Sequence, residues 1–560
     1  MTTTMGYPGV YTTEQLNPIA APNNSGVGSP SLAGFIGEWW KGPTVPVLCN
    51  SWNDFVINFG GFNPNSTPVL TNPYLGYSVY EFFANGGVSC WVYRLVKGFN
   101  SNSFSGNSAS VNLLDSAATA TSQLTLTTGG SGVQGNIGTW GNNLLVTVTN
   151  ATINATPNNR FNLNIYYNPT GTTTASFQYL VESWADLSML TSDPRYVVNL
   201  LNNPSSGSRW VYATDSTSST GNVYPYNTPK AASYSFSSGT DPNASPAPGD
   251  YIAALNYGQS ANASTITAPF DNVAGMLNIN LPGFSWDSGT SGITVMTAAI
   301  NYAAQRPSTF LVVDPPVNTP VFNLTTTGGF QPTIANATGY SSYAATYYPW
   351  IVAPNPASSN LQSSITLPPG GFVLGQMAST DTGSGPWYAP AGISTNLVNA
   401  VSTERTFSPS DLTTLTQYGV NAIRQIANNN TIVIWGARTH NQSYSTKYVP
   451  VRRTLNYIEA SLNNLLQYAV FEPNTPALWG SISASCNAFL GGMLASNAFP
   501  SNLPNSSYYV ICDGSINTPQ TIAQGVVNTK IGVALLYPSE FISITISQFQ
   551  STGSTTVSAA

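Results

Sequence analysis

The sequence predicts a multidomain protein of mixed α+β and α/β class, and three observations support this prediction. Its 560 residues are 42% hydrophobic, which is enough for three or four domains with substantial cores. Residues 100–180 are rich in Ser, Thr and Asn and contain short strand-like runs, which predict an inserted β-rich domain. From Val181 onward, strand-like and helical segments alternate, a pattern typical of a mostly parallel sheet with helices outside it.

The first hundred residues predict a small α/β unit that is incomplete by itself. Ser89–Val96 alternates side chains between two faces, as a strand does, and Tyr74–Ala84 gathers its large apolar residues on one side, as a helix does. Two further elements are a strand at Ser31–Glu38 and a short helix at Asn53–Phe59.

The inserted region predicts strands at Gln123–Thr127, Asn143–Thr149 and Asn162–Tyr167. It also contains GSGVQG at Gly130–Gly135, which fits the GxGxxG fingerprint of dinucleotide binding. That motif requires a helix directly after it, and residues 136–143 cannot begin one. We therefore reject a dinucleotide site here.

The middle of the chain alternates helices and strands. The predicted elements are a helix at Ser183–Leu190, an extended segment at Tyr196–Leu201, a strand at Leu277–Leu281, a helix at Ile293–Gln305, a strand at Phe310–Val313 and, after Tyr343–Tyr347, a strand at Trp350–Val352.

The C-terminal part continues this alternation. The predicted elements are a helix at Asp411–Asn428, a buried strand at Ile432–Trp435, an amphipathic helix from Val451 that ends at Glu472-Pro473-Asn474, a helix near Trp479–Ala495, and strands at Tyr508–Cys512, Lys530–Tyr537 and Phe541–Phe549.

Composition excludes several classes of protein. A net charge of −6, with a pI near 4.7, argues against nucleic-acid binding because no basic tract is present to neutralise phosphates. No run of eighteen apolar residues and no signal-peptide pattern is present, so we expect synthesis in the cytoplasm and no membrane insertion. The four cysteines are too scattered for a disulfide framework, and one histidine cannot complete a Cys/His zinc site. Buried free thiols are expected.

Positive charge is concentrated in one C-terminal stretch. Only 36 residues are charged (15 Lys+Arg and 21 Asp+Glu), yet Arg438, Lys447, Arg452 and Arg453 fall within sixteen positions. Arg452 and Arg453 begin a predicted helix, where the macrodipole disfavours each exposed positive charge by about 0.3–1 kcal/mol. Glu459, six residues beyond Arg453, gives no i,i+4 relief. Either the arginines extend into solvent or cap a loop, or they meet an acidic partner.

The last strand-like run, Phe541–Phe549, has no charge and places Ile542, Ile544 and Ile546 on one face. An unprotected strand of this kind promotes aggregation unless it is paired. It is therefore either the last strand of the chain's own sheet or a strand donated to the sheet of a neighbouring molecule.

Several sequence motifs follow one another along most of the chain. They are PGVYTTE at Pro8–Glu14, AGFIGEWWKGP at Ala33–Pro43, FFANGGVSCWVYRL at Phe82–Leu95, SSYAATYYPWIVAPNP at Ser341–Pro356, GPWYAPAG at Gly385–Gly392, and then IWGART, YVPVRRTLNYIE, FEPN and YYVICD. In this order, the motifs resemble the tail sheath proteins of contractile bacteriophages. The resemblance is weak at roughly 100–123 and 210–263.

The resemblance implies a division into domains. The parts are an N-terminal arm (1–24), an assembly or "handshake" domain made of 25–98 and 398–540, an inserted β-rich domain (99–180), a subtilisin-like α/β domain (181–397) and a C-terminal arm (541–560). Both arms are implied to pair with neighbouring subunits. The residues expected to donate strands are Tyr7, Gly9, Val10, Tyr11, Ile542, Ile544 and Ile546.

The resemblance also implies a structural role. Sheath subunits form stacked hexameric rings around a tail tube, and these rings contract to drive the tube through a host envelope. The implied partners are other copies of the chain, the tail tube protein, and baseplate and tail terminator proteins, with no cofactor. The implied location is the tail of a virion assembled in the host cytoplasm. We predict that Lys447, Arg452 and Arg453 lie near a tube-facing or intersubunit surface and meet acidic groups.

The sequence offers little for catalysis, and we expect no enzyme. A Ser-His-Asp triad would have to use His440, the only histidine, and no GxSxG elbow, P-loop or HExxH motif occurs. Asp314 and Asp381 stand beside proline or near glycine and are interpreted as turn formers. The alternatives to a sheath protein are a subtilisin-like hydrolase, which needs His440 beside a serine, and a passive coat or adhesin protein.

Overall fold

The computed structural model describes residues 32–62, 70–101, 103–116, 120–130, 133–151, 160–168, 179–204, 206–216, 228–256, 268–284, 290–336, 339–360, 362–426, 431–443, 445–541 and 543. Its first part contains β1 (Ala33–Gly37), β2 (Val47–Cys49), α1 (Trp52–Phe59), α2 (Leu75–Ala84) and β3 (Cys90–Arg94). The next contains β4 (Ser110–Leu114), β5 (Ser122–Gly130), β6 (Val133–Gln134), β7 (Leu144–Asn150), β8 (Arg160–Tyr167), β9 (Tyr179–Ser188), α3 (Val197–Leu201), β10 (Val211–Asp215) and β11 (Ala232–Ser235).

The second half of the chain alternates helices and strands. Its earlier elements are α4 (Pro248–Ala254), β12 (Leu277–Asn280), α5 (Thr290–Gln305), β13 (Thr309–Val313), α6 (Val321–Thr325), α7 (Phe330–Asn336), β14 (Ala344–Tyr348), β15 (Ile351–Pro354), β16 (Ser364–Leu367), α8 (Gly370–Gly383) and β17 (Ser402–Thr403). Its later elements are α9 (Pro409–Gln417), β18 (Val420–Gln425), β19 (Ile432–Ile434), α10 (Val449–Leu465), α11 (Pro476–Ala495), α12 (Pro504–Ser507), β20 (Tyr508–Ile511), α13 (Pro519–Ala523) and β21 (Lys530–Val533).

The largest sheet has eight strands in the order β19-β18-β14-β13-β12-β1-β3-β2. Neighbouring strands from β18 to β3 pair in parallel, and β19 and β2 pair antiparallel at the two edges. The predicted, mostly parallel sheet is therefore confirmed. The sheet combines strands from the first hundred residues, the middle of the chain and the C-terminal part, so these regions share one hydrogen-bonded framework.

Both faces of this sheet are buried because successive strand residues point to opposite sides. On β13, Val312 belongs to the core under α2 and α8, and the next residue, Val313, belongs to the core under α4 and α5. Strands buried on both faces are continuous apolar runs, as the TFLVV sequence of β13 is. The same property made these strands recognisable in the sequence.

The β-rich part consists of two further sheets packed around one core. One has the order β10-β5-β4, with β6 paired to β5, and the other has the order β11-β7-β8-β9. Both sheets include a strand from beyond residue 180, because β10 and β11 lie at 211–215 and 232–235. The β-rich part therefore extends past the position at which the sequence analysis ended it.

Three predicted elements were wrong. The helix expected at Ser183–Leu190 is mostly the end of β9, whose pairing with β8 contains two register shifts that obscure the alternation of a strand. The segment expected to be extended at Tyr196–Leu201 contains α3, which buries Val197 and Leu201 one turn apart. The helix expected at Asp411–Asn428 ends at Gln417, and the apolar residues after it form β18.

Two buried cations join the β-rich part to the large sheet. The Lys41 ammonium lies 3.5 Å from the ring centroid of Trp210, 4.6 Å from that of Trp140 and 5.7 Å from that of Tyr167. Arg94, the last residue of β3, donates to the Ile137 carbonyl at 2.7 Å and to carbonyls of residues 39, 40 and 42. These contacts fix the junction through backbone carbonyls and aromatic faces, which accept positive charge without a carboxylate.

The four cysteines are buried free thiols, as the sequence predicted. Cys49 on β2 and Cys90 on β3 are register partners, and burial raises the pKa of the Cys90 thiol well above its usual range. Cys486 lies on α11, and Cys512 directly follows β20. Within the described ranges, no helix is long and apolar enough to cross a bilayer, and no cluster of potential metal ligands occurs.

Candidate assembly region

The C-terminal segment singled out by its basic residues forms the connection between the large sheet and a smaller C-terminal unit. In that unit, α10 and α11 pack with β20 around a core that includes Ile458, Trp479 and Phe489. Helix α10 starts beside the large sheet, with Val449 in the sheet's own core, and continues into the core of the C-terminal unit. Pro450 in its first turn suits this position, because the first helical residues need no amide donor.

Arg453 makes a fully buried ion pair with Asp381 of α8. Both side chains are 0% exposed; Nη1 donates to Oδ1 at 2.9 Å, and Nη2 donates to Oδ2. Arg453 Nε also donates to Asn278 Oδ1 on β12 at 3.2 Å. Burial raises the pKa of the Asp381 carboxyl, and the paired guanidinium opposes that rise. The pair therefore ties α10 to α8 and to the sheet.

Arg452 points to the opposite side of this junction and is also 0% exposed. Its Nε donates to Asn456 Oδ1 at 2.8 Å, its Nη2 lies 3.4 Å from Glu459 Oε1, and its guanidinium stacks 4.4 Å from the ring centroid of Tyr343. Glu459 thus supports Arg452 from two turns along the helix. Asn456 in turn donates to the Thr309 carbonyl at the start of β13.

These contacts correct the predicted positions of the two arginines. Arg452 and Arg453 do not lie at the surface, because residues of this chain enclose both side chains completely. The acidic groups that they meet are Asp381 and Glu459 of the same chain. Asp381 is accordingly a residue of α8 and not the turn former that its neighbouring glycine indicated.

Arg438 makes a second long-range ion pair, with Glu540 near the end of the described chain. Arg438 Nε donates to Glu540 Oε1 at 2.6 Å, and its Nη2 donates to Oε2. The Tyr448 hydroxyl donates to the same carboxylate at 3.1 Å. Burial by itself raises the pKa of Glu540, but the bonded and nearby positive charge of Arg438 holds it below its usual value.

Lys447 is half-buried beside this pair, with its ammonium 5.5 Å from the ring centroid of Tyr448. Its positive charge contributes to lowering the pKa of Glu540. Its predicted contact with a tube or a neighbouring subunit stays a prediction.

The predicted strand-donating residues Tyr7, Gly9, Val10, Tyr11, Ile542, Ile544 and Ile546 lie outside the described residues. Their role in pairing with neighbours stays a prediction. A place where a donated strand could add is present, because β20 and β21 form an antiparallel sheet of only two strands among the described residues. Tyr508 pairs with Val533, and Ile511 pairs with Lys530.

The one histidine is structural in its surroundings. His440 is 4% exposed, its Nε2 lies 2.8 Å from Thr346 Oγ1, and burial lowers its pKa to about 3. The hydroxyl beside it is therefore a threonine, and not the serine that the hydrolase alternative requires. Asp314 is also buried, and it accepts backbone amides from Gly283 at 3.2 Å and Gly370 at 2.8 Å. It links a turn to the start of α8.

Sequence reasoning missed Asp381 and Glu540 as partners of the basic residues. Asp381 is 72 positions from Arg453, and Glu540 is 102 positions from Arg438, so no local spacing reveals either pair. The available signal was indirect: two arginines at a helix start, with no acidic residue one turn away, require compensation from elsewhere.

Comparison with known proteins identifies the fold. No protein-family model and no curated protein matches the sequence. Among solved structures, a chain of the 6-fold symmetrised anti-feeding prophage (AFP) baseplate matches with a TM-score of 0.54 and 18% identity, over 98% of this chain and 100% of that chain. The AFP helical sheath in its contracted state matches with a TM-score of 0.52 and 19% identity, over 97% and 100%.

A sheath tail protein from Listeria innocua matches with a TM-score of 0.55 and 12% identity, over 88% of this chain and 91% of that one. These likenesses extend over most of the chain in each case, and two of the three structures are those of sheath proteins. The chain therefore has the fold of the tail sheath proteins that its sequence motifs resemble.

Proposed function

We propose that this protein is the structural sheath subunit of a contractile tail or a related contractile injection machine. The observation that carries the proposal is the extent of the structural likeness: 98% of this chain aligns with 100% of a chain from the AFP baseplate. A likeness confined to the parallel sheet would fit many enzymes. A likeness that includes the β-rich part, the sheet and the C-terminal unit in one order favours the role of the whole molecule.

In the proposed machine, the subunits form stacked hexameric rings around a tail tube and rearrange from an extended to a shorter, wider cylinder. The AFP relatives support this geometry, since one is described as 6-fold symmetrised and the other as a helical sheath in the contracted state. The proposed partners are further copies of this chain, a tail tube protein, and baseplate and terminator proteins. The role is structural and needs no cofactor, and the proposed location is the tail of a particle assembled in the host cytoplasm.

We infer that the chain ends, 1–24 and 541–560, are arms that donate strands to neighbouring subunits. The two-stranded β20–β21 sheet is the proposed acceptor, because a sheet this small gains most from additional strands. We assign the handshake domain to the unit around β20 and β21 and the subtilisin-like domain to the mostly parallel sheet. This assignment revises the division expected from the sequence, because β1–β3 of 25–98 and β18–β19 of 398–540 belong to the same sheet as β12–β14 of 181–397. Lys447 is kept as a candidate contact to the tube or a neighbour.

Electron microscopy of the purified chain tests the proposal. We expect the full-length protein to form cylinders of two alternative lengths, and a chain lacking its first twenty and last twenty residues to stay monomeric with an unchanged circular-dichroism spectrum. Cylinders of a single fixed length would favour a passive coat protein. Normal polymerisation of the trimmed chain would refute strand donation by the arms.

A further inference from the structure

The basic cluster of the sequence contacts Glu540, twenty residues before the last residue, and Asn278, which bonds to Leu32 just before β1. We propose that residues 437–443 and 445–456, which we name the arm mount, fix where both arms begin: Arg438 holds Glu540, the root of the C-terminal arm, and Arg453 holds Leu32, the root of the N-terminal arm, through Asn278. This inference rests on the proposed sheath function and adds residues that position the arms for exchange.

Glu540, the root of the C-terminal arm, accepts hydrogen bonds from three donors, which belong to Arg438 and Tyr448. Arg438 binds the Glu540 carboxylate through Nε and Nη2, and the Tyr448 hydroxyl donates a hydrogen bond to the same carboxylate. The Tyr537 ring, three residues earlier, packs edge-on against Tyr448 with centroids 6.3 Å apart. Phe541, the next residue, is 77% exposed.

Twenty residues follow Glu540 in the sequence, since 560 − 540 = 20. Fully extended, such a segment spans at most about 66–72 Å, which is more than a domain diameter. The reach of the segment is therefore sufficient for contact with another copy. The contacts of Glu540 fix the position at which this segment begins.

Leu32, the root of the N-terminal arm, is held by Asn278 of β12 in the large sheet. Asn278 N donates to the Leu32 carbonyl at 3.0 Å, and its Nδ2 lies 3.4 Å from the same oxygen. Leu32 is the residue directly before β1, and 31 residues precede it. The Arg453 guanidinium donates to Asn278 Oδ1 and is itself fixed by Asp381. The start of β1 is thus connected to α10 through one amide side chain.

Arg438 and Arg453, which make these two contacts, both belong to the arm mount. The chain between them folds back on itself, because Val449 N donates to the Ala437 carbonyl at 2.8 Å and Thr439 N donates to the Lys447 carbonyl at 2.8 Å. Arg438 and Tyr448 form an isolated antiparallel bridge in the same place. Both arms are therefore anchored to one short segment, and a subunit that rotates during contraction moves both roots together.

Arginine suits the positions of both Arg438 and Arg453 for the same reason. Its planar guanidinium binds a carboxylate through two parallel hydrogen bonds and still offers a further donor. Arg438 uses that donor on the Thr416 carbonyl at 2.7 Å, and Arg453 uses it on Asn278. A lysine could supply the charge but not this fixed geometry.

Two measurements on the intact chain test the arm mount. Glu540→Gln removes the charge of the C-terminal grip, and Tyr448→Phe removes only one hydroxyl from it. We expect Glu540→Gln to raise the critical concentration for polymerisation at least about tenfold, with a smaller increase for Tyr448→Phe, when both are measured well below the melting temperature of each free subunit. Hydrogen exchange of residues 534–541 in the free subunit should also become at least about tenfold faster in Glu540→Gln.

Asp193→Asn is the matched control, because it removes an ion pair of similar geometry, 2.9 Å from Arg160, in the β-rich part and away from both roots. It should change neither measurement. Asn278→Ala tests the N-terminal grip, since it removes the amide that joins Arg453 to Leu32 but keeps the backbone bond. We expect it to raise the critical concentration as well.

The outcomes separate the two proposals. If wild-type chains polymerise and Glu540→Gln polymerises equally well, the arm mount is refuted and the sheath function stands. An equal rise in critical concentration for Asp193→Asn also refutes the arm mount, because the loss of any carboxylate would then weaken polymerisation. If wild-type chains form no cylinders, the sheath function fails. Unchanged hydrogen exchange at 534–541 in Glu540→Gln would independently refute the grip in the free subunit.

Discussion

Arg453 and Asp381 form an ion pair in which neither side chain has any exposed surface, between a helix that starts the C-terminal unit and a helix that covers the large sheet. Moving both charges out of water is costly, and good geometry with additional hydrogen bonds is needed to recover that cost. Arg453 meets this condition through two bonds to the carboxylate and one to Asn278. The pair therefore favours this arrangement of the two helices, since separating them would leave both charges without these bonds.

Removing one partner should be strongly destabilising. We expect Asp381→Asn to lower the free energy of unfolding by about 3–5 kcal/mol, because the Arg453 charge is left buried without compensation. The double variant Arg453→Met/Asp381→Leu should recover most of this loss, since an apolar pair of similar size carries no buried charge. Chemical denaturation of Arg453→Met, Asp381→Leu and the double variant measures the coupling.

The partly exposed pair of Arg160 and Asp193 is the control for this experiment. Its side chains are 22% and 11% exposed, and Asp193→Asn should cost no more than about 1 kcal/mol. A loss for Asp381→Asn as small as that of the control would contradict a structural role for the buried pair.

Two glycines of α8 should respond oppositely to the same substitution. A Cβ at Gly375 would lie 2.6 Å from the Phe82 carbonyl oxygen and 2.7 Å from Asn85 Cβ, where α8 crosses the end of α2. Gly375→Ala should therefore destabilise the protein by about 1–3 kcal/mol. At Gly383, the last residue of the same helix, nothing lies within 4 Å, and Gly383→Ala should be neutral or stabilising by up to about 1 kcal/mol. Thermal unfolding of both variants compares them, and equal effects would exclude close helix packing as the cause.

The sequence predicts elements whose signal is local and misses relations that only the fold creates. Helix α2 was found because its apolar residues recur with the period of a helix, and strand β13 was found because it is a short continuous apolar run. Strand β9 was missed because its pairing with β8 shifts register twice, and the resulting break in alternation resembled a helix. The partners of Arg438 and Arg453 were missed because they are 102 and 72 residues away, and no spacing rule covers such distances. The helix dipole indicated only that these charges need compensation, whereas their partners and their burial depend on the packing.

Lys41 gives a pH-dependent prediction at the junction of the β-rich part. Burial lowers the pKa of its ammonium from 10.5 to about 7. Between pH 10.5 and about 7, the lysine is charged in the unfolded chain but neutral in the folded one. The free energy of unfolding therefore falls as the pH falls through this range, and the loss is constant below about pH 7. The aromatic faces around the ammonium offset about 2 kcal/mol of that cost.

Lys41→Met keeps the length of the side chain and cannot titrate. Relative to wild type, we expect it to be more stable by about 3 kcal/mol near pH 7, with the advantage shrinking toward pH 10.5. Urea unfolding at several pH values measures the difference. Lys530→Met, which changes an exposed lysine of β21, should leave the pH profile as it is. A difference between Lys41→Met and wild type that does not vary with pH would contradict a lysine that is neutralised on folding.

The contribution of Glu81 to stability changes with pH in the opposite direction to that of Lys41, and in a lower pH range. Its side chain is 1% exposed on α2, and the amide of Asn399 donates to its carboxylate at 3.1 Å. Burial raises the pKa of Glu81 from 4.5 to about 7, and the Asn399 bond opposes the rise. Because the raised pKa favours the protonated folded state, the stabilising contribution is complete below pH 4.5 and is lost as the pH rises to about 7.

Glu81→Gln should therefore be near neutral at pH 4 and more stable than wild type by about 3 kcal/mol at pH 8, since each pKa unit corresponds to about 1.36 kcal/mol. Glutamine keeps the shape of the side chain and cannot ionise, so only the buried negative charge is removed. Glu472→Gln, at an exposed position after α10, serves as the control and should show no such difference. The sign is diagnostic: if Glu81→Gln is less stable than wild type at pH 8, the carboxylate is ionised and stabilised in the folded chain, and the Asn399 contact outweighs burial.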